Sequence, residues 1–497
     1  MSAPAQASPL LRSRALLLGL ILAASCLAHL KGLSSPPLDY HYHRQCNTAA
    51  ISRNFAERGE VLCPRIDWEG AYDGCSATEL PLYMWAAGKL WGLGGLGHLW
   101  ARLLSALLSA LTAVYLFKLL ESWMETEASF YAAVLFSFIP LEVYFGRTIQ
   151  PEAAALFGSV GALYHWRKAL EPGRPWGHWA AASGLAFLAV GHKLPYIHIL
   201  IPMAAMSWQV LRGKAFRDPA TLLAPVFILG GVYAWYQHAS SGAFVVPTNA
   251  SEVLGLLHYE RLPFFVQFQF LSRFPELAAT YGGVVLGFIG ARELVWRRGS
   301  WVPAVWFLAV AVHLVAGGDY TFRHEYTSLP FAPVNAAFMG LGLHLLKEKA
   351  AASGSRRALA GAALLALSVP IHASLRIPHW YKLTHPQLVH AAGAADSVSE
   401  PSDLFLCNER ASSVFLYFLK RKGWSWDLAE AGPEKLGQVE EKVRLGAAFY
   451  ATAKSPLFSD PEGIYARWFY VRYPVVYDDQ GLLIFRLSAG GRQRTGP

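Results

Sequence analysis

The run Leu99-Trp-Ala-Arg-Leu-Leu-Ser-Ala-Leu-Leu-Ser-Ala-Leu-Thr-Ala-Val-Tyr-Leu-Phe-Lys-Leu119 carries charge only at Arg102 and Lys118. A hydrocarbon layer about 30 Å thick needs about 20 mostly apolar residues to be crossed by one helix. The run therefore reads as a membrane span. Ten further runs of the same kind lie at 15–33, 128–145, 151–166, 176–190, 195–210, 219–235, 277–295, 301–316, 329–346 and 358–374. The first could pass for a signal peptide, since Arg12 and Arg14 precede an apolar stretch. No clean small-x-small cleavage site follows it, so it is expected to be a retained span.

Composition agrees with this reading. Of 497 residues, 54% are hydrophobic and 15% charged, and mean hydropathy is +0.28. A soluble chain of this length would need a more charged exterior. Disorder, coiled coil, collagen and a disulfide-stapled mini-domain are excluded by the same figures. The expected fold class is a polytopic α-helical membrane protein of about eleven spans, residues 1–376, with a small α/β extracytoplasmic domain at 377–497.

The net charge of +9 might suggest nucleic acid, but its distribution points elsewhere. With the N-terminus inside, internal segments carry Arg12, Arg14, Lys118, Arg167, Lys168, Arg174, Arg212, Lys214 and Arg217. The later internal segments add Arg292, Arg297, Arg298, Lys347, Lys349, Arg356 and Arg357. The short external turns carry Arg147, Lys193, Arg261, Arg273 and Arg323. Sixteen against five is the asymmetry that orients membrane helices. The charge is an orientation signal, and no nucleic-acid partner is expected.

Two regions fall outside the membrane. The loop at 34–98 is far longer than an ordinary connection. Within it, 47–58 reads as an amphipathic helix ended by Gly59, and a second helix starts near Pro81 with Tyr83, Trp85 and Trp91, a composition suited to the membrane interface. The tail reads as strand 403–408, helix 413–422 closed by Gly423, helix 433–445, strand 447–453 and helix 463–473. A hairpin of 475–477 with 482–487 around Asp479-Gln480-Gly481 completes it. Docking, acceptor recognition and plain structural support are all open roles for this domain. Cys46, Cys63 and Cys75 share the first loop; a Cys63–Cys75 bridge, three free thiols and a pairing of Cys46 are all compatible with the spacing.

Chemistry collects directly after the first span, in Asp39-Tyr40-His41-Tyr42-His43-Arg44-Gln45. An acid, two His and an Arg at a membrane surface are costly to place without a use. Taken alone, the cluster would pass for a solvated juxtamembrane loop. Convergence raises the functional reading, because Glu79, Arg147, Lys193, His258, Arg273, Asp319, His324 and Tyr326 all fall on the same external face. Asp39 could accept a proton from an acceptor hydroxyl while a cation stabilises a departing phosphate.

At these residues the sequence resembles the GT-C glycosyltransferases, on the protein mannosyltransferase and aminoarabinose transferase branch, dolichyl-phosphate-mannose-protein mannosyltransferases included. The resemblance runs through Asp39–Gly59, Thr78-Glu79-Leu80-Pro81-Leu82-Tyr83, Arg102-Leu103-Leu104-Ser105 and Gly146-Arg147-Thr148-Ile149-Gln150-Pro151-Glu152. It continues through Lys193-Leu194-Pro195 and His324-Glu325-Tyr326-Thr327-Ser328-Leu329-Pro330. It implies an inverting transferase that uses a polyprenyl-phosphate sugar at the outer face, with a lipid, polysaccharide or protein as acceptor. Asp39 matches the acid presumed to be the base. Arg147, Lys193 and Arg273 become candidates for the donor phosphate, although snorkelling at span ends accounts equally for the first two. His41, His43, Arg44, Glu79, Tyr83, His324 and Tyr326 are candidates for substrate contact, and Glu79 with His258 for a divalent metal such as zinc. The chain departs from the branch at Leu80, where Lys is usual, and at Glu325-Tyr326, where tandem Tyr is usual.

Two other classes compete. A transporter or flippase for an anionic or lipid-linked substrate would show repeats and mid-span acids, and neither stands out. An anchoring protein would work through its tail and could dispense with the first loop. The Ala-rich composition favours a bacterial inner membrane, with site and tail on the periplasmic side.

Overall fold

The structure is a computed structural model that describes residues 13–94, 97–173, 176–241, 244–245, 259–409, 412–427, 436–454 and 463–488. It divides into two compact units, and the division does not follow the expected 1–376 and 377–497. One unit is Met1–Leu33, Arg102–His238 and Val246–Trp380; the other is Ser34–Ala101, Ala239–Val245 and Tyr381–Pro497. The first loop therefore packs with the tail.

The first unit is helical. Among the described residues, His98–Leu120, Leu194–Arg217, Pro219–Ser240 and Arg356–Arg376 are long and apolar enough to cross a membrane. Leu262–Ala278 and Tyr281–Arg297 form one further pair bent by 103°, and Arg14–His29 and Val302–Ala316 are shorter apolar helices. The chain is thus a polytopic helical membrane protein. The expected run 128–145 is two helices, Thr126–Ser137 and Pro140–Phe145. Pro140 has no N–H to continue the first helix and is favoured at the start of the second. The run 195–210 opens with a 3-10 turn, Leu194–Ile199, before the α-helix Leu200–Leu211. Ahead of the run 277–295, a wide π-helical turn spans Phe268–Ala278 around Pro275. Thr280 then caps Tyr281–Ala291, accepting from Gly283 N at 3.1 Å. That helix meets Phe331–Ala352 backbone to backbone: a Cβ on Gly290 would stand 1.9 Å from Phe338 O, and one on Gly342 1.9 Å from Leu286 O. Small residues allow this approach where lipid offers no hydrophobic drive for helices to associate.

The second unit is built on a five-stranded sheet of β3 (Leu404–Cys407), β4 (Gly423–Ser425), β5 (Ala447–Ala453), β6 (Val475–Asp478) and β7 (Leu482–Arg486), after a two-residue pair, β1 (Ser76–Ala77) with β2 (Phe244–Val245). The order is β4-β3-β5-β7-β6, parallel across β4, β3 and β5 and antiparallel across β5, β7 and β6. Gly423, expected to end a helix, opens β4 instead; the helix stops earlier, at Val414–Leu419. Leu406, Tyr450, Phe469, Leu483 and Phe485 fill the core on one face, with Tyr450 and Phe469 stacked at 4.1 Å. At roughly 1.5–3 kcal/mol for each large side chain buried, this cluster is the main attraction holding the sheet to helix Ile464–Arg472.

The first loop adds the helices Tyr42–Arg58 and Leu82–Gly92. The former begins five residues before the expected 47, and ends at Gly59 in the left-handed conformation, φ 76°, with Gly59 N donating to Phe55 O. A Cβ on Gly88 would lie 2.5 Å from Ser52 O, so the two helices touch closely. Cys63 and Cys75 are bridged, while Cys46 is a buried thiol donating to Pro37 O at 3.2 Å. The loop also joins the sheet edge: Gly423 N donates to Asp67 O and Gly70 N to Gly423 O, at 3.0 and 2.6 Å.

Candidate functional site

In the second unit, the turn ahead of helix Tyr42–Arg58 is fastened at several points. Leu38 N donates to Pro36 O at 2.8 Å, and Leu38 O accepts from Thr384 N at 2.9 Å. His41 stands at φ 59°, a region that non-glycine residues enter at some cost and that concentrates at functional turns. The result is a fully buried Asp39, whose Oδ1 accepts from Gln45 Nε2 at 2.6 Å. Gln45 is itself fully buried and also reaches Tyr40 O at 2.9 Å. A carboxylate held this way keeps a fixed lone pair for a proton.

Beside it, Arg44 and Glu79 form an ion pair, so the carboxylate proposed for a metal is neutralised by a guanidinium. His258 lies outside the described residues. Among them, Glu79 belongs to no group of three His, Cys, Asp or Glu donors close enough to hold an ion. His43 Nδ1 is 3.0 Å from Ser412 Oγ, which donates to the buried Glu409 at 3.2 Å. Burial pushes the Glu409 carboxyl well up. The His41 and Tyr40 rings lie 4.3 Å apart, tilted by 59°. Tyr83 is 2% exposed and donates to Ala101 O at 3.0 Å.

In the first unit, Lys193 is a partly exposed cation at the end of helix Trp176–His192. Its Nζ lies 2.7 Å from Glu152 Oε1 and 5.3 Å from the Tyr326 ring centroid. Glu152 is 2% exposed and opens helix Glu152–Ala169, where the helix dipole favours a negative charge. Tyr326 and His324 stack at 5.1 Å. The other two expected phosphate ligands are built into the scaffold. Arg147 is fully buried, donates to Gly32 O at 3.1 Å and sits 4.7 Å over Tyr144. Arg273, 4% exposed, donates to the carbonyls of Thr321 and Phe322 and approaches Glu325 at 3.8 Å. These contacts tie down the 318–328 segment.

The structure thus brings together Asp39, His43, Arg44 and Glu79 in one unit and Lys193, Tyr326 and His324 in the other. The sequence reading left Gln45, Glu152 and Glu409 without roles. Pro151-Glu152 was a usable signal, since Pro followed by an acid marks a helix start; nothing local in the sequence marks Gln45.

Residues 78–236 match the family described as dolichyl-phosphate-mannose-protein mannosyltransferase. No curated protein sequence matches the chain. Among solved structures, it is similar to ArnT from Cupriavidus metallidurans bound to undecaprenyl phosphate, with TM-score 0.65 and 14% identity over 97% of this chain and 100% of that one. It is also similar to the archaeal oligosaccharyltransferase AglB from Archaeoglobus fulgidus in complex with an inhibitory peptide and a dolichol-phosphate. There the TM-score is 0.55 and identity 12%, over 88% of this chain and 69% of that one. The fold is therefore that of the GT-C membrane glycosyltransferases.

Proposed function

We propose that this protein is an inverting glycosyltransferase that moves a sugar from a polyprenyl-phosphate donor to an acceptor hydroxyl at the outer face of the membrane. The observation that carries the proposal is Asp39: a fully buried carboxylate, held by Gln45, on the turn that follows the first apolar helix. In this reading Asp39 takes the proton of the acceptor hydroxyl as its oxygen attacks the anomeric carbon. The bond from that carbon to the phosphate oxygen breaks, and the phosphate leaves with the electron pair. Attack opposite the leaving group inverts the anomeric centre. The charge that the departing phosphate carries calls for a cation to stabilise it. The similarity to a structure that holds undecaprenyl phosphate supports the choice of donor. No step is routed through a metal.

The test is Asp39→Asn in proteoliposomes supplied with a polyprenyl-phosphate sugar. Transfer is expected to fall by about 10²–10⁴, the usual contribution of a positioned base, with insertion unchanged. Transfer at the normal rate would remove Asp39 from the chemistry.

A further inference from the structure

The first unit holds a polar cavity of about 530 Å³, built from the N-terminal end of helix Arg14–His29, the C-terminal end of His98–Leu120 and the C-terminal end of Glu152–Ala169. These are the ends that the Lys and Arg excess assigns to the inside. Its volume lies in the range of small-molecule sites, roughly 300–1,000 Å³.

Four cations and two carboxylates line it. Arg14 pairs with Glu121 at 2.5 Å, and Lys168 with Glu171 at 2.9 Å. Lys118 and Arg167 are left, and among the described residues neither has a carboxylate partner. Two unbalanced positive charges converge in a concavity that also presents Leu18 and Phe117. Single cations snorkelling from span ends meet lipid one at a time. Here the two cations converge on one cavity beside an apolar wall, which is the requirement for an anion that carries hydrocarbon.

We propose that this cavity binds the phosphate headgroup of an anionic phospholipid, with Lys118 and Arg167 on the phosphate and Leu18 against the start of the acyl chains. The chemistry recognised is a phosphate; the apolar wall selects the lipid over the free ion. The site is independent of the transfer reaction.

The experiment is native mass spectrometry of the full chain released from detergent with phosphatidylglycerol or phosphatidylcholine of the same acyl chains. Phosphatidylglycerol is expected to be retained preferentially. The double variant Lys118→Ala/Arg167→Ala should lose retention by roughly fivefold per cation. Lys168→Ala/Glu171→Ala, which removes one charge of each sign, should change it far less. Should the first variant fail to fold, raising the salt concentration on the unaltered chain gives the same readout, since screening must weaken phosphatidylglycerol retention alone. Equal retention of the two lipids, or phosphatidylglycerol retention indifferent to both the variant and salt, would overturn the proposal. Displacement of the lipid by millimolar inorganic phosphate would overturn the choice of a lipid source.

Discussion

Helix Tyr42–Arg58 and helix Pro219–Ser240 reverse the ordinary relation between polarity and burial. The first hides Gln45, Thr48, Ser52 and Asn54, each 8% exposed or less. The second turns Leu223, Val226, Phe227 and Tyr233 outward, each more than half exposed. In water this would be an inverted protein. The apolar surface of the second helix is what a helix facing lipid must show, since lipid tails are as apolar as leucine. The first helix buries polar groups because each finds a partner: Arg53 bridges Asp67 at 2.7 Å and Tyr417 O at 3.0 Å, Asn54 reaches Arg65 O at 2.8 Å, and Asn47 accepts from Ser413 N at 2.6 Å. Polarity is cheap inside when it is satisfied, and apolarity is cheap outside when the solvent is lipid.

The contrast can be broken from either side. Arg53→Leu makes the buried polar helix more apolar, yet it strands Asp67, which is 1% exposed. Removing one member of a buried pair costs about 3–5 kcal/mol, so a large fall in denaturant midpoint is expected. An unchanged midpoint would show that hydropathy alone governs this helix. Val226→Asp makes the outward apolar helix more polar. A carboxylate near the middle of a span costs about 2.5–3.5 kcal/mol on insertion, measurable by reporter-site mapping of the helix, while Val226→Leu should be neutral. Insertion indifferent to Asp would mean that this face meets water.

The smallest effect concerns a polar group that is not fully satisfied. Burial pushes the Glu69 carboxyl up to about 7, against hydrogen bonding from Ser76 and the nearby Lys422 charge. A raised carboxyl means that the folded chain holds a proton the unfolded chain has lost. Stability is therefore highest below about 4.5, falls as pH rises towards 7, and is flat beyond that. Glu69→Gln should flatten this slope in a melting-temperature series from pH 4 to 8. A wild-type profile that rises with pH over this window would refute the assignment.

How much was readable in advance depends on the range of the forces involved. Lipid imposes the same demand on every span, so 219–235 and 358–374 lie inside the helices found. The bend of 103° after Pro275 was hidden, because hydropathy cannot see where backbone hydrogen bonds re-form. β4 was hidden as well: three residues, Gly-Trp-Ser, carry no alternation and become a strand through pairing with β3. Asp39 was legible as an acid beside a span. What holds it was not, because the Gln45 bond depends on a left-handed turn at His41. Arg147 and Arg273 were read as ligands from their place at span ends, whereas the carbonyls that occupy them come from residues 115 and 48 to 49 positions away.

The pairing of Ser34–Ala101 with Tyr381–Pro497 also sets a timetable. The ribosome must add the 280 residues from Ala101 to Tyr381 before the partners of the first loop begin to emerge. At about 5–20 residues per second, that is roughly a quarter of a minute to a minute. Throughout that interval Asn47 and Arg53 lack the tail atoms they bond in the finished protein. The helix that follows the acid-bearing turn is fastened in its final form only after Ser413 and Tyr417 have been made.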